Sequence, residues 1–421
     1  STAMAGLDII GRDKYGVFPL KGKVINVRDP SNNKKIPDNA EIVNVKKIMG
    51  WKTDHKYMDV ETLRYGKIMI LTDQDEDGSH IKGLVFNLFE TMWPELFKIE
   101  GFLNSMLTPI IKMKKGKELV QFYSVKDYDK WLEADTSGKS YDIKYYKGLA
   151  TSTPKEAKEY FKDLKIVEYT SKENLDIKAL DMAFSKKDES ANTRKEWLSK
   201  YDRNATLDYN SPYVTIDEFI NYDLIHFSNS DNIRSIPNIM DGLKPSQRKV
   251  LFASLKRNLT DKEIRVAQLA GYTSENAAYH HGEMSLNGTI INMAQHFIGS
   301  NNIPLLEDVG QFGTRIGGGK DAGQPRYIYT KLSTITPTLY NSQDFALMDT
   351  QYDDGLKVEP VFYTPIIPMI LVNGSSGIGT GWSTEVPCFN PLDIIDNINN
   401  YLNGVPMKEI VPWYNGFTGT I

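Results

Sequence analysis

Cysteine is almost absent from this sequence, since Cys388 is the only one among 421 residues. A single thiol cannot form an internal disulfide and cannot supply the paired cysteines of a structural zinc site. We interpret Cys388 as a neutral thiol packed among other side chains, which is the usual state of a free cysteine. This cysteine usage fits a reducing, intracellular compartment.

Long apolar segments are absent as well. No run of about 18 apolar residues occurs, so we expect no membrane-spanning helix. Residues 1–6 have no charged head followed by an apolar core, so we expect no secretory signal. Hydrophobic residues make up 40% and charged residues 25% of the chain, which is typical of a globular protein. The length predicts roughly two to four domains.

An excess of positive charge is also lacking, because the formal net charge is −4. Net charge weighs against a nucleic-acid binder, but binding depends on how charge is distributed. Residues 244–257 contain no acidic residue and include Lys244, Arg248 and Lys249. A helix here would place its N-terminal amides and its cations against phosphates, with Arg248 and Lys249 reaching outward. A merely solvated basic face is the alternative.

Strand-like and helix-like segments alternate over the first ~165 residues. The apolar run at 67–71 predicts a strand that ends at an acidic loop, and residues 81–97 have apolar side chains at helical spacing. Residues 102–112 predict a further strand region. This strand–loop–helix order favours an α/β sheet with its chemistry at the strand ends.

Helical patterns return further along the chain. One covers residues 216–257, where Pro237 and Pro245 are expected just before or at the first turn of a helix. Two more helices are expected within residues 274–298, with the hydroxyls of Ser274 and Ser285 as N-caps. After residue 340 the pattern indicates strands and turns that end inside an unfinished domain.

The sharpest chemical motif is an acidic loop directly after the first predicted strand. It carries Asp73, Asp75 and Asp77 at a spacing of two, followed by Gly78. Carboxylates gathered in this way repel one another unless a cation neutralises them. Carboxylate oxygens are hard ligands that suit Mg²⁺, which often takes phosphate oxygens as further ligands.

Three interpretations of this loop compete. We prefer a catalytic Mg²⁺ site acting on a phosphodiester. A solvated acidic turn without a ligand is the second. The third, a helix–loop–helix Ca²⁺ site, needs a bidentate glutamate at its twelfth position, where this sequence has Leu84.

Two adjacent histidines, His280 and His281, follow Tyr279 between two predicted helices. Paired histidines serve as metal ligands, acid/base groups or phosphate donors. No third ligand lies nearby in the sequence, so we expect no zinc site and interpret the pair by default as structural.

A tyrosine next to an arginine, Arg326-Tyr327, follows a glycine-rich segment. A tyrosine can attack phosphorus and hold the product as a phosphotyrosine, so the cut bond is later resealed without new energy. Its phenol ionises only near about pH 10, so a cation such as Arg326 is needed to help. Among 23 tyrosines, the pattern alone does not separate Tyr327 from Tyr329.

Four segments together resemble the signature segments of one family, the eukaryotic-type type IIA DNA topoisomerases. They are GRDKYGVFPLKGK at 11–23, LTDQDEDGSHI at 71–81, YHHGE at 279–283 and PRYIY at 325–329. The similarity keeps the segment order over nearly the whole chain. The metal and tyrosine segments lie on one chain here, which resembles the eukaryotic or large-virus arrangement and not the bacterial one, which divides them between two polypeptides.

The resemblance implies a multidomain fold of the α/β and α+β classes. It implies a Rossmann-like Toprim metal domain over residues 1–165 and a helical connector over 166–219. A winged-helix domain with the nucleophilic tyrosine would cover 220–345, and the beginning of an α/β tower domain would cover 346–421. It also implies a homodimer in the full-length enzyme, no membrane association, and location in the nucleus, or in the host cell or virion of a virus.

The same resemblance implies a reaction on double-stranded DNA. Tyr327 would form a 5′-phosphotyrosine link, with Arg326 as its transition-state partner and Asp73, Asp75 and Asp77 as the Mg²⁺ ligands. Strand passage and religation would relax and decatenate DNA. ATP is expected only in the full-length enzyme, at a site outside this chain.

Further residues match DNA contacts of the family. Ile378, in GIGTG at 377–381, matches an isoleucine that wedges between base pairs and kinks the duplex. With the basic segment and the histidine pair, the expected DNA-binding residues are Lys23, Asn26, Arg194, Lys195, Lys244, Arg248, Lys249, Tyr279, His281 and Ser285.

The sequence departs from the family pattern at several points, and Ser376 stands where the family often has glutamate. Ala150 stands where the family usually has glycine, and alanine does not tolerate the positive φ that glycine adopts. The family's metal-site glutamate, its ATPase domain and its exit gate are not found, so we expect a fragment. Two rival functions remain, a Toprim-type metal-dependent nuclease without a covalent adduct and a non-enzymatic winged-helix DNA-binding protein with salt-sensitive binding.

Overall fold

The computed structural model describes residues 2–52, 55–134, 141–146, 148–149, 152–187, 189–209, 211–353 and 355–420. The chain divides into two compact units, Ser1–Ser230 and Asp231–Ile421, and each has its own hydrophobic core. None of the described helices is both long and apolar enough to cross a membrane.

The helices are α1 (Thr2–Ile10), α2 (Ala40–Met49), α3 (Glu76–Met92), α4 (Pro94–Phe97), α5 (Val125–Ala134), α6 (Pro154–Lys162), α7 (Glu173–Phe184), α8 (Ser190–Ser199), α9 (Ile216–Phe219), α10 (Ile225–Ser235), α11 (Pro245–Lys256), α12 (Val266–Asn276), α13 (Glu283–Ala294), α14 (Thr336–Leu339), α15 (Met369–Val372) and α16 (Pro391–Leu402). The strands are β1 (Ile68–Ile70), β2 (Leu103–Met106), β3 (Ile111–Lys115), β4 (Glu118–Phe122), β5 (Asp142–Tyr145), β6 (Ile166–Thr170), β7 (Tyr213–Thr215), β8 (Ile264–Arg265), β9 (Leu306–Val309), β10 (Tyr329–Leu332), β11 (Thr350–Asp353), β12 (Leu356–Pro360), β13 (Ser375–Ile378) and β14 (Ser383–Val386).

The main sheet of the first unit has the strand order β1–β2–β6–β7. β1 and β2 run parallel, β6 runs antiparallel to β2, and β7 runs parallel to β6. Helix α3 packs on this sheet through Phe86, whose ring lies 4.5 Å from that of Tyr169 and 5.0 Å from that of Phe219. The predicted α/β class is confirmed for this unit.

Residues 166–219, predicted as a helical connector, contribute β6 and β7 to the main sheet. Each of these strands is only a few residues long, and helices follow both of them, so local periodicity gives little strand signal. The domain boundaries at 165, 219 and 345 stay predictions.

Helix α3 begins inside the acidic turn, five residues before the apolar pattern predicts. Asp75 is its N-cap and accepts a hydrogen bond from Gly78 N at 2.7 Å. A side chain at position 78 is excluded, because a Cβ there would lie 2.0 Å from the carbonyl oxygen of Asp73. The helix ends at Met92, and Pro94 opens the short helix α4.

A buried ion pair joins α3 to the π-helical turn Ile220–Leu224. Lys82 Nζ lies 2.9 Å from Asp223 Oδ2, and Ser79 Oγ donates to Asp223 Oδ1 at 2.6 Å. Burial alone would lower the pKa of Lys82, but the Asp223 carboxylate outweighs it and holds that pKa above its usual value. The pair therefore fixes the first turns of α3.

A second sheet of the first unit has the order β4–β3–β5 and covers a small core that includes Ile111, Met113 and Phe122. Beside it, Thr153 caps α6 and forms a capping box with Glu156. Glu156 also accepts hydrogen bonds from Tyr146 Oη and, at 2.9 Å, from Lys144 Nζ.

In the second unit, helices α11, α12 and α13 pack together and contact a small antiparallel sheet with the order β8–β10–β9. Its core includes Val250, Leu251, Leu269 and Leu286, which are fully buried. The winged-helix domain expected from the resemblance stays a prediction. Two hairpins, β11–β12 and β13–β14, follow in sequence.

Three predicted helix signals in this unit are wrong. Strand β8 runs directly into α12, so Ser274 lies inside that helix, and Ser285 lies inside α13 behind its N-cap Gly282. Pro237 follows the end of α10 and opens no helix, whereas Pro245 is the first residue of α11 as predicted.

The expectation of only strands and turns after residue 340 is incomplete. Helix α16 covers Pro391–Leu402, with Asn390 as its N-cap accepting from Leu392 N at 3.0 Å. The Asn-Pro pair at its start is a recognisable helix signal that the sequence-based prediction overlooked.

Replacing Lys82 with methionine is expected to destabilise the first unit by about 3–5 kcal/mol, because it leaves the Asp223 charge buried without its partner. Urea unfolding followed by circular dichroism measures this. Lys187→Met, which breaks an exposed pair with Asp181, is the control and should cost about 1 kcal/mol or less. Equal effects of the two variants would contradict the buried pair.

Glu156 gives a pH-dependent prediction. Burial raises its pKa, but hydrogen bonds from Tyr146, Thr153 and Lys144 outweigh burial and lower it from 4.5 to about 2. Its stabilising contribution, on the order of 2 kcal/mol, is present above about pH 4.5 and is lost as pH falls toward 2. The stability gap between the wild type and Glu156→Gln should therefore shrink over this range. Glu159→Gln, at an exposed position on the same helix, should show no such trend.

Candidate functional site

The acidic turn lies between the end of β1 and the start of α3, where the sequence predicts a strand-end site. The Asp75 carboxylate is directed at the first turn of α3 by its capping bond. Asp73 Oδ1 accepts the amide proton of Leu149 at 2.6 Å. The backbone of Gly148 packs against the same carboxylate, since a Cβ at this position would lie 2.9 Å from the Asp73 carboxyl carbon. Residues 148 and 149 therefore orient Asp73, a role that sequence reasoning missed.

Ala150, which departs from the family pattern, lies outside the described residues. Its neighbours Gly148 and Leu149 are described and make the close approach to Asp73.

Asp77 and Lys23 form an ion pair at the edge of the acidic turn, with Lys23 Nζ 2.7 Å from Asp77 Oδ1. The Lys23 ammonium also lies 4.5 Å from the centre of the Phe227 ring, and that ring stacks on His80 at 3.8 Å. Lys23 was expected to contact DNA, and here its charge is directed to the acidic turn.

The three aspartates repel one another. Burial raises the pKa of Asp75, the amide of Gly78 acts against this, and the charges of Asp73 and Asp77 raise it further. A cation would relieve this repulsion, and carboxylate oxygens are suitable donors for a hard divalent ion.

The described residues do not include a group of three or more acidic, histidine or cysteine side chains that converge as a complete ligand set. Asp75 caps α3 and Asp77 pairs with Lys23, so both carboxylates already have partners within the protein. The donor type and the charge of the turn therefore fit a divalent cation, while the described side chains do not by themselves complete its coordination.

Two other expected DNA contacts in the first unit have partners within the protein. Asn26 Nδ2 donates to the carbonyl of Phe184 at 2.8 Å, and Arg194 donates to the carbonyls of Met182 and Ser185. Lys195 is exposed. DNA contact by these residues stays a prediction.

The structure separates Tyr327 from Tyr329 in the second unit. Tyr327 precedes β10 and is 69% exposed, with the Arg326 guanidinium 5.0 Å from its ring centre. Tyr329 lies within β10, and its hydroxyl accepts a hydrogen bond from Arg265 Nε at 3.0 Å. Both tyrosines have an arginine nearby, and Tyr327 is the more exposed of the two.

The glycine-rich segment before Tyr327 is held by a buried glutamine. Gln295 Nε2 donates to the carbonyls of Phe312 at 2.7 Å and Gly319 at 3.2 Å. Gly319 has φ +75°, and a Cβ there would lie 2.5 Å from that amide nitrogen. Sequence reasoning missed Gln295, whose only signal is a polar residue at the end of an apolar helix.

The expectation that Arg248 and Lys249 reach outward is wrong. Arg248 is 5% exposed and pairs with Asp241, with its Nε 2.7 Å from Asp241 Oδ2. Lys249 Nζ lies 2.9 Å from Glu359 Oε1 and donates to the carbonyl of Ala277. Both carboxylates lie outside residues 244–257, and Glu359 is 110 residues from Lys249 along the chain, so the charge pattern of that segment alone does not predict these ion pairs.

Lys244 is partly buried at the N-cap of α11, and its Nζ donates to the carbonyl of Ser376 at 2.7 Å. Burial lowers the pKa of Lys244 below its usual value. Its interaction with the β13–β14 hairpin was not expected from the sequence.

Tyr279 is buried in the core of the second unit, and its ring meets that of His281 edge to face at 5.4 Å. His281 and Ser285 are exposed at the start of α13. His280 Nε2 lies 3.1 Å from Asp353 Oδ2. The role of Tyr279, His281 and Ser285 in DNA contact stays a prediction.

Ile378 is the last residue of β13 and is 81% exposed. An apolar side chain presented in this way has the form that a wedge between base pairs needs.

Three family models match the chain in succession. The Toprim domain matches residues 1–102, and the C-terminal associated domain of TOPRIM matches residues 106–232. The A-subunit family of DNA gyrase/topoisomerase IV matches residues 234–421.

Named relatives match over the full length of this chain. DNA topoisomerase 2-beta of Homo sapiens is 50% identical over 440 residues, which cover 100% of this chain and 27% of that protein. DNA topoisomerase 2 of Drosophila melanogaster is 49% identical over 438 residues, covering 100% of this chain and 30% of that protein. The chain thus spans less than a third of the length of these curated relatives.

A solved structure is similar as well. The DNA-binding, cleavage and re-ligation domain of Plasmodium falciparum topoisomerase II aligns with a TM-score of 0.80 and 49% identity, covering 100% of this chain and 57% of that one. Named DNA topoisomerase 2 proteins align with the whole of this chain at about half identity, and the Toprim and A-subunit models match it in succession, so the chain belongs to the eukaryotic-type type IIA DNA topoisomerases.

Proposed function

We propose that this chain is the part of a type II DNA topoisomerase that binds duplex DNA, cleaves it transiently and reseals it. The observation that carries the proposal is Tyr327, an exposed phenol beside the Arg326 guanidinium just before strand β10. The family membership of the chain and the acidic turn in its Toprim region support the same function.

The proposed reaction exchanges one phosphodiester for another. The Tyr327 oxygen attacks phosphorus and loses its proton, a phosphorus–tyrosine bond forms at the 5′ end, and the bond to the 3′ oxygen breaks. The 3′ oxygen leaves and is protonated, and the reverse attack restores the strand. Arg326 stabilises the negative charge that develops on the phosphoryl oxygens.

We propose that the acidic turn holds Mg²⁺ through Asp73, Asp75 and Asp77. The bound ion would act as a Lewis acid on the scissile phosphate. The protein contributes the orientation of the ligands, since the Leu149 amide fixes Asp73 and the α3 cap fixes Asp75. The fit of the donors and their mutual repulsion support this choice of site.

We further propose that two chains act as a homodimer, with the tyrosine of one chain working on the metal site of the other. In the longer protein, ATP hydrolysis would drive passage of a second duplex through the break. That whole protein would relax and decatenate DNA, and in a eukaryotic cell it would act in the nucleus. The proposed domains are those with boundaries at residues 165, 219 and 345.

Tyr327→Phe is expected to abolish covalent attachment to DNA, because it removes the attacking oxygen and keeps the ring. The measurement mixes the protein with supercoiled DNA and Mg²⁺, denatures it with detergent and counts protein-linked DNA. Tyr329→Phe, two residues away, is the matched control and should retain the adduct. Adduct lost with Tyr329→Phe and kept with Tyr327→Phe would refute the assignment, and free ends without any adduct would favour the nuclease rival.

Asp75→Asn separates the charge of the acidic turn from its structural role, because asparagine also caps helices well. Losing a metal ligand is expected to lower Mg²⁺-dependent cleavage roughly 100-fold or more, since a Lewis acid contributes several kcal/mol. DNA binding without Mg²⁺ should persist. Asp59→Asn, an exposed aspartate that accepts from the amide of Glu61, is the control and should cleave normally. Full cleavage by Asp75→Asn would exclude the site.

A further inference from the structure

The two residues that flank Ile378 are glycines for a reason other than backbone freedom. Gly377 and Gly379 are not among the glycines with positive φ, so their backbone suits any residue. The obstacle is space, because a Cβ on Gly377 would lie 1.9 Å from the carbonyl oxygen of Ser235. A Cβ on Gly379 would lie 2.1 Å from Asn232 Oδ1.

Ser235 and Asn232 thus form the surface at the end of α10 on which the β13–β14 hairpin packs, and this surface is the seat of the hairpin. Gly377 and Gly379, on either side of the last strand residue Ile378, both approach α10. Successive residues of an extended segment point to opposite faces, so position 378 faces the other way. The face without side chains is pressed against α10, and Gly377 is buried there. Ile378 is consequently directed away from α10, which explains its 81% exposure.

Polar tethers hold the turn of the hairpin on the same helix. Asn232 Nδ2 donates to the carbonyl of Thr380 at 3.0 Å. Thr380 Oγ1 donates to Asp231 Oδ2 at 3.1 Å. The turn itself is closed by Gly379 N donating to the carbonyl of Trp382 at 2.9 Å.

A third tether holds the strand from the side of α11. Lys244 Nζ donates to the carbonyl of Ser376, two residues before Ile378, at 2.7 Å. An ammonium group loses hydration when it is partly buried, and the carbonyl compensates only in part. This costly placement indicates that Lys244 has a structural task in addition to any contact with a phosphate.

We propose that Asp231, Asn232 and Lys244 are positioning residues that set the height and direction of Ile378, and that DNA kinking depends on this seat. The inference rests on the proposed function and on the expectation from the sequence that Ile378 wedges between base pairs of the bound DNA. Unstacking a base step costs a few kcal/mol. A wedge on a freely moving hairpin would therefore be pushed out of the step as the bases restack. The bare glycine face and the three tethers resist that retreat.

The test measures binding and bending separately on one duplex with this chain. Fluorescence anisotropy gives the affinity, energy transfer between dyes at the two ends gives the bend, and 2-aminopurine reports unstacking. Gly377→Ala should force the strand off Ser235, and Thr380→Val removes one tether while keeping the side chain's shape. Gly271→Ala is the matched control, since a Cβ there meets nothing within 4 Å.

We expect Gly377→Ala to bind DNA within about threefold of the wild type, because phosphate contacts supply most of the affinity. Its bend and its 2-aminopurine signal should fall to the level of Ile378→Ala. Thr380→Val should lower the equilibrium constant for bending about two- to tenfold, as expected for one hydrogen bond. Gly271→Ala should match the wild type.

The outcomes separate the inference from the function on which it rests. If Ile378→Ala abolishes bending while Gly377→Ala and Thr380→Val bend DNA as the wild type does, the seat is refuted and the wedge stands. If Ile378→Ala bends DNA normally, the proposed wedge and the seat both fail. Circular dichroism of each variant checks folding, and Thr380→Val keeps the test decisive if Gly377→Ala does not fold.

Discussion

The capping bond from Gly78 N to Asp75 is the interaction on which the acidic turn depends. It makes α3 begin inside the acidic motif, so that a carboxylate lies at the positive end of the helix dipole. The cap also requires glycine at position 78, because the Cβ of any larger residue would lie 2.0 Å from a carbonyl oxygen. The buried pair of Lys82 and Asp223 then holds that end of the helix against the π-helical turn Ile220–Leu224. These contacts hold the aspartates of the acidic turn in place although their carboxylates repel one another.

Several basic residues of this protein serve internal contacts. Lys82 and Arg248 are buried in ion pairs, and Arg194 donates to backbone carbonyls. Lys244 supports the hairpin that carries Ile378. A basic run in sequence is therefore a weak indicator of a DNA-facing surface, because the residue type does not reveal whether the cation is buried or exposed.

Much of the fold was predictable where the signal is local. The strand at Ile68–Ile70 follows from its apolar run, and the opening of α11 at Pro245 follows from proline. The N-caps proposed at Ser274 and Ser285 failed because β8 leads straight into α12 and because Gly282 precedes α13. Strands β6 and β7 gain their place from pairing with each other and with β2, and no short window of sequence contains that information.

The sequence by itself determined the chemistry that is available: three carboxylates after a strand, an arginine next to a tyrosine, and an isoleucine between glycines, in motifs specific enough to identify the family. Residue types and their spacing are properties of the chain, so they can be read without coordinates. Only the tertiary structure decided which groups are accessible. It showed that Tyr327 is exposed while the Tyr329 hydroxyl is hydrogen-bonded. It also showed that Arg248 and Lys249 form ion pairs within the protein. It also revealed Gln295 and Leu149 as supports of the site. The physical reason is that exposure and hydrogen bonding depend on partners distant in sequence, and folding alone brings those partners together.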